Sequence, residues 1–181
     1  MQNKFQNKYR ISSARLQTWD YSNNGAYFIT ICTKNKHHFF GHILNQEMQL
    51  SEIGKLAAEF WNEIPIHFPF VELANFVVMP NHVHGILIMN HTVETRLIAS
   101  IQGGTGGFSG DKNPMLGNSI SKIVCWYKGQ CSFECRQIIP DFGWQSRFHD
   151  HIIRNSKSFD TIQNYIEQNP LKWKEDKFYK L

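Results

Sequence analysis

The sequence lacks the long apolar runs that membrane proteins need. No stretch approaches eighteen consecutive apolar residues, and the opening MQNKFQNKYR contains no apolar segment of the kind found in a secretory signal. We therefore expect a cytoplasmic protein with no membrane partner.

Cysteine is scarce, and its spacing does not match the common zinc motifs. The chain has four cysteines, Cys32, Cys125, Cys131 and Cys135, and none of them forms a CxxC pair. This usage is typical of reduced thiols in a cytosolic protein. Cys131 and Cys135 could face each other on a helix, but nothing else completes a site. A zinc-stabilised structural protein is therefore poorly supported.

The composition is that of one globular domain with a mildly basic charge. The 181 residues are 41% hydrophobic and 19% charged, which is enough for one buried core and too little for two large ones. The net charge of +4 is compatible with an anionic partner such as nucleic acid, although many proteins without such a partner share it. We expect a single domain over residues 1–181, with a polar, basic arm at 1–20.

Hydrophobic periodicity predicts seven elements in the order β-α-β-β-α-β-α. The strands are expected at 25–33, 72–79, 82–89 and within 142–154, and the helices at 51–64, 118–131 and 158–170. Ser51 is a plausible N-cap, Pro65 should end the first helix, and Pro170 should end the last. A tight turn at Pro80 and Asn81 should join the two central strands. The glycine-rich segment 101–114 is expected to be a flexible loop.

The first six elements have the order of a ferredoxin-like split βαβ sandwich. This predicts an α+β fold with a four-stranded antiparallel sheet and helices on one side. The helix at 158–170 is added after that unit. Its apolar residues Phe159, Ile162 and Ile166 follow helical spacing and should form its buried stripe.

The strand at 82–89 carries two histidines, His82 and His84. At strand spacing both project from the same face, while Val83 points the other way. Two imidazoles could hold one metal ion if a third ligand came from elsewhere. An equally open interpretation is a pair satisfied by carbonyl groups or water at a strand end. For the second HxH pair, His149 and His151, we expect no role beyond supporting a ligand or packing on a strand.

Several segments together resemble one family. VVMPNHVHGILI resembles the signature of the HUH superfamily, named for histidine, bulky hydrophobe, histidine. WQSRFHDHIIRN, YIEQNPLKW and RLQTWDYSNNGAYFITICT resemble the matching segments of the REP-associated tyrosine transposases, which belong to the insertion-sequence-200-like single-tyrosine transposases. The resemblance covers roughly residues 10–174, and the combination is far more specific than HxH alone.

The resemblance implies a divalent metal and a tyrosine nucleophile. In that family two histidines, here His82 and His84, bind Mg²⁺ or Mn²⁺, and the tyrosine of the YIxxNP motif, here Tyr165, is the nucleophile. The third ligand falls one helical turn later, on Asn169. Residues at i and i+4 share a helix face about 6 Å apart, so both could serve one metal held by the sheet. From the residues alone, Tyr165 could instead flank the apolar stripe, and Asn169 with Pro170 could simply stop the helix.

The implied activity is nicking and strand transfer on single-stranded or hairpin DNA. Attack by Tyr165 would leave a 5′-phosphotyrosine linkage and a 3′-hydroxyl, and a DNA 3′-hydroxyl could later attack that linkage without ATP. Consistent with this, no GxxxxGK[ST] loop is present. The alternative is a catalytically silent module of the same fold that binds DNA hairpins. Because members of the broader family are often dimers, a homodimer is an open expectation.

Basic residues should guide the DNA strand. The candidates are Lys122, Lys128, Arg147 and Arg154, together with the N-terminal arm, and each is equally well explained as an ordinary solvated charge. The glycines at 102–110 could close over DNA or merely tolerate the length of their loop.

Overall fold

A computed structural model describes residues 23–91 and 118–179. The strands are β1 (Gly25–Cys32), β2 (Gly41–Leu44), β3 (Glu47–Leu50), β4 (Val71–Met79), β5 (His82–Met89) and β6 (His149–Ile153). The helices are α1 (Glu52–His67), α2 (Ile120–Ile138) and α3 (Ser156–Gln168), with short 3₁₀ turns at Lys34–Lys36 and Trp173–Glu175. The predicted arm at 1–20 and the predicted loop at 101–114 lie outside the described residues.

Four strands form one antiparallel sheet in the order β4-β5-β1-β6. If the hairpin β2–β3 is set aside, this is the order 2-3-1-4 of the split βαβ unit. The predicted α+β class and its four-stranded antiparallel sheet are therefore confirmed. None of the described helices is long and apolar enough to cross a bilayer.

The hairpin of β2 and β3 was not predicted. Each of its strands has only four residues and mixes polar with apolar side chains, so the sequence carries little periodic signal there. Its two turn residues, Asn45 and Gln46, have φ of 49° and 67°, the left-handed pair that is typical of a two-residue hairpin with a type I′ turn.

The prediction that the first helix ends at Pro65 is wrong. Pro65 lies inside α1, which continues to His67. A proline in the last turn removes only one intrahelical hydrogen bond, and the helix closes beyond it because Phe68 N donates to Ile64 O at 2.8 Å. The second helix is likewise longer than predicted and reaches Ile138.

Two helices begin at side-chain caps. Ser51 Oγ accepts a hydrogen bond from Gly54 N at 3.1 Å, which confirms the predicted cap of α1. Asn155 Oδ1 accepts one from Ser158 N at 2.8 Å and starts α3 two residues earlier than predicted. Each cap pairs a backbone N–H group of the first turn and so helps to fix the residue at which its helix begins.

The sheet has two distinct faces. We call one the helix face: α1 and α2 cover it, and it carries buried apolar residues of β1 and β5, namely Tyr27, Ile29, Ile31, Val83 and Leu87. Gly85 also lies on this face and makes room for Trp61 of α1, since a Cβ there would lie 2.3 Å from Trp61 Cζ2. The opposite surface, with Phe28, Thr30, His82, His84 and Ile86, we call the site face.

Helix α3 packs on the site face through its predicted stripe. Phe159, Ile162 and the buried Ile166 contact the cluster formed by Ile86 and Ile153. A register shift between Leu73 and Phe76 puts one extra residue into β4, which is a β-bulge. Within that bulge Asn75 bonds both to Gln163, at 3.0 Å, and to Glu167 of α3. The side chain of the bulge therefore holds α3 at a defined position along β4.

Candidate active site

His82 and His84 lie side by side at the start of β5. Their ring centroids are 4.3 Å apart, and the two side chains are 0% and 1% exposed. The alternation of the strand puts both rings on the site face, while Val83 enters the core of the helix face.

Each ring is held through its Nδ1 atom. His82 Nδ1 lies 2.9 Å from Asn81 Oδ1, and His84 Nδ1 lies 2.9 Å from Thr30 Oγ1. An amide oxygen can only accept, so Nδ1 of His82 carries the proton and Nε2 keeps its lone pair. That Nε2 atom is buried and has no hydrogen-bond partner among the described residues. It is thus available to a metal.

Both imidazoles are neutral near pH 7. Burial lowers the pKa of His84 to about 3, helped by the charge of Lys177. Burial also holds the pKa of His82 well below 6.5, with the neighbouring His84, Lys36 and Lys177 acting in the same direction. Neutral imidazole is the form that binds metal.

Asp176 adds a carboxylate that the sequence did not reveal. One ligand atom each from His82, His84 and Asp176 lie within 4.8 Å of one another. Asp176 follows the 3₁₀ turn at Trp173–Glu175, and its Oδ1 accepts a hydrogen bond from Phe178 N at 2.7 Å. In the charged stretch KWKEDK nothing distinguishes it from a solvated residue; only the return of the chain over the site face brings it to the histidines.

The two residues predicted on α3 meet the same group. The Tyr165 hydroxyl lies 3.3 Å from His84 Nε2 and donates to Asp176 Oδ2 at 3.4 Å. Asn169 Nδ2 donates to Asp176 Oδ2 at 3.2 Å, and its buried Oδ1 has no hydrogen-bond partner in the described part of the chain. Tyr165 is 40% exposed, so its hydroxyl borders solvent. Burial, and secondly the charge of Asp176, raise the pKa of Tyr165.

The donor set fits a divalent cation. Two neutral imidazoles and one carboxylate offer nitrogen and oxygen ligands within one small volume. Two buried acceptor atoms, His82 Nε2 and Asn169 Oδ1, have no hydrogen-bond partner among the residues that the structure describes. Such unpaired buried atoms are costly unless something else binds them.

The predicted DNA-contacting cations are not gathered at this group. Lys122 and Lys128 belong to α2, on the opposite side of the sheet, and Lys128 donates to Gln145 O. Burial lowers the pKa of Lys128, which agrees with a structural role. Arg147 and Arg154 are exposed and flank β6 at its two ends.

Two other lysines, which the sequence did not single out, lie nearer the histidines. Lys36 Nζ and Lys177 Nζ lie 4.8 Å and 4.9 Å from the centre of the Phe178 ring. That ring is itself 4.6 Å from the ring of His82. No local motif marks these lysines, because they are 141 residues apart and meet only in the fold.

The second HxH pair lies on the edge strand. His149 pairs with Thr30 and His151 with Phe28, so both share the site face with His84. Both are exposed, and neither belongs to the His82, His84 and Asp176 group. Their role stays unassigned.

The fold of this chain is similar to that of solved structures. A structure of the REP-associated tyrosine transposase bound to a REP hairpin matches with a TM-score of 0.58 and 21% identity, covering 90% of this chain and 74% of that one. A protein of Deinococcus radiodurans R1, provisionally described as a transposase, gives a TM-score of 0.45 and 16% identity over 86% of this chain and 96% of that one, which is too low to weigh. The chain thus has the fold of the REP-associated tyrosine transposases, and the likeness expected from its motifs is confirmed in fold.

Among sequences, an uncharacterized protein of Haemophilus influenzae strain Rd is 39% identical over 170 residues, 92% of each chain. No protein-family model matches. The chain belongs to the same family as this Haemophilus influenzae protein.

Proposed function

We propose that this chain is a metal-dependent single-stranded DNA endonuclease and strand transferase with Tyr165 as its nucleophile. The observation that carries the proposal is the position of the Tyr165 hydroxyl, 3.3 Å from His84 Nε2 and at the edge of the His82, His84 and Asp176 group. A tyrosine that only flanked the apolar stripe of α3 would have no reason to point its hydroxyl at a cluster of metal-binding side chains.

His82, His84 and Asp176 would hold the metal, with Asn169 Oδ1 as a further ligand. Nitrogen ligands suit Mn²⁺ better than Mg²⁺, which favours oxygen and water, so of the two ions expected from the resemblance we favour Mn²⁺. When bound, the metal would polarise a scissile phosphate and neutralise the charge that builds on its oxygens.

Tyr165 would form the covalent linkage. Because its pKa is raised, the phenol keeps its proton at neutral pH and must lose it during attack. With His84 Nε2 committed to the metal, Asp176 Oδ2 is the remaining acceptor of the phenol hydrogen bond, at 3.4 Å. In the attack the phenol proton would pass to Asp176 Oδ2 as the phenol oxygen bonds to phosphorus, the bond from phosphorus to the 3′ oxygen would break, and one proton would pass to that 3′ oxygen, so the proton count is unchanged. A 5′-phosphotyrosine and a 3′-hydroxyl result.

The fold and the residues around His82, His84 and Asp176 support a substrate class. The related structure holds a REP hairpin, which supports single-stranded or hairpin DNA as the partner here. Lys36 and Lys177 are placed beside His82 and Phe178, where they would bind backbone phosphates near the scissile one. Arg147 and Arg154 would contact DNA farther along the edge strand. A cytoplasmic location and a homodimer stay predictions.

A covalent adduct tests the proposal. The protein is incubated with Mn²⁺ or Mg²⁺ and end-labelled single-stranded DNA carrying hairpins, and a denaturing gel is searched for protein linked to DNA. The adduct should be absent in Tyr165→Phe and His82→Ala and present in Tyr179→Phe, a matched control in the same region. An adduct that persists in Tyr165→Phe would exclude this nucleophile. Tight hairpin binding with no adduct under either metal would favour the alternative, a catalytically silent DNA-hairpin-binding module.

A further inference from the structure

Asn81 is a fully buried amide in the turn between β4 and β5. It is 0% exposed, and its side chain bonds in three directions. Oδ1 accepts from His82 Nδ1 at 2.9 Å, while Nδ2 donates to Phe178 O at 2.9 Å and to Lys36 O at 3.3 Å. A side chain that only closed a tight turn would bond within that turn, whereas this one reaches residues 45 and 97 positions away.

The bond from His82 Nδ1 to Asn81 Oδ1 determines which ring nitrogen of His82 carries the proton. Because Nδ2 donates to two carbonyl groups, the orientation of the amide is fixed, and Oδ1 is the atom that faces His82. An acceptor at that place requires the proton on Nδ1 of His82, which leaves the lone pair of Nε2 free for a metal.

The bond from Asn81 Nδ2 to Phe178 O helps to position the carboxylate of Asp176. Phe178 O is held by Asn81, and Phe178 N donates to Asp176 Oδ1 at 2.7 Å, so the backbone of Phe178 connects the amide to Asp176. The Phe178 ring also packs on the His82 ring, with centroids 4.6 Å apart. Moving the segment around Phe178 would therefore move Asp176.

The third bond supports the turn that carries Lys36. Asn35 and Lys36 have φ of 55° and 58°, a left-handed conformation that costs free energy in residues other than glycine. Such a turn persists when its surroundings hold it, and the bond to Lys36 O does so from the buried side.

We propose that Asn81 is a positioning residue that prepares two metal ligands at once, His82 through Oδ1 and Asp176 through Nδ2. This role rests on the proposed function, in which those residues hold a metal. It predicts that the amide cannot be replaced by a group that only accepts or by one that only fills space.

The wild-type protein offers the first test. In the full chain without metal, the ¹⁵N signals of the His82 imidazole should show a protonated Nδ1 and a bare Nε2, with the signals assigned by their loss in His82→Ala. A protonated Nε2 would overturn the proposal, and this measurement does not depend on whether any Asn81 variant folds.

Two substitutions then separate the roles of the amide. Asn81→Ala should lower the Mn²⁺ affinity, measured by calorimetry without DNA, by about 10- to 100-fold and should lose the fixed His82 tautomer. Asn81→Asp keeps an acceptor for His82 but loses both donors, so it should keep the tautomer, weaken Mn²⁺ binding and speed amide exchange at Phe178. Asn90→Ala, an asparagine beyond the far end of β5, is the matched control and should change none of these.

The outcomes also distinguish this role from the proposed function. The positioning role would be overturned if Asn81→Ala bound Mn²⁺ with an affinity within twofold of wild type and kept the proton of His82 on Nδ1. If Mn²⁺ binds and Asn81 behaves as expected but no DNA adduct forms, the DNA chemistry fails while the positioning role stands. If the adduct forms but His82 carries its proton on Nε2, the positioning role fails while the DNA chemistry stands.

Discussion

The two faces of β5 differ in the elements that cover them. On the helix face, Val83 and Leu87 enter an apolar core covered by α1 and α2, which have 16 and 19 residues. On the site face, His82 and His84 are covered by α3, with 13 residues, and by a segment whose regular structure is a single 3₁₀ turn. The alternation of side chains along one strand thus separates the apolar core from the candidate active site, and changes on each face should have separable effects.

The largest separation is expected for Tyr165→Phe. Adduct formation should fall by about 10³-fold or more, because the substitution removes the oxygen that we propose as the nucleophile. The free energy of unfolding, measured in urea, should change by less than about 0.5 kcal/mol, since the ring is 40% exposed. Strong destabilisation together with lost activity would show that Tyr165 is a structural residue of α3.

Asp176→Asn should sharpen the comparison on the site face itself. Asparagine is nearly isosteric and can still accept from Phe178 N, but it loses the charge, so the Mn²⁺ affinity should fall by about 100-fold. Glu175→Gln, the exposed neighbour, is the matched control and should leave calorimetric titrations unchanged. If Asp176→Asn bound Mn²⁺ with unchanged affinity, Asp176 would not be a ligand, and Asn169 would be the third ligand, as the family resemblance implies.

Gly85→Ala tests the opposite face. The added methyl group would meet Trp61 Cζ2 at 2.3 Å, so unfolding in urea should require about 1–3 kcal/mol less free energy. Mn²⁺ affinity of the folded protein should stay within twofold of wild type. Gly129→Ala on α2, where a methyl group meets nothing within 4 Å, should instead stabilise the chain by about 0.5–1 kcal/mol. Equal effects of the two substitutions would contradict the packing described for the helix face.

The smallest effects concern the surface lysines. Lys36→Gln and Lys177→Gln should each weaken hairpin binding a few-fold and lower the slope of log affinity against log salt by about one unit. Lys122→Gln on α2 should have no effect, because that helix lies on the helix face. A loss in Lys122→Gln as large as in the other two would place the DNA on the wrong side of the sheet for this proposal.

What the sequence could predict follows from how local each signal is. The order of the three helices and of the four strands of the main sheet, and the shared face of His82 and His84, depend on periodicity within single strands and helices, and both were predictable, whereas the short β2–β3 hairpin was not. The continuation of α1 past Pro65 depends on its position within the last turn, which a boundary rule ignores. Asp176 and Lys36 reach the histidines only through long-range contacts of the folded chain, so no local pattern marks them.

The bulge in β4 has a consequence for sequence alignments. On this strand the helix-face residues fall at odd positions up to Leu73 and at even positions from Phe76 onward, and the switch occurs across a single inserted residue. A relative with a one-residue gap at positions 74–75 would restore strict alternation and lose the side chain that bonds to Gln163 and Glu167. Strand length at this point therefore offers a simple criterion, independent of the histidines, for which relatives can position α3 as this chain does.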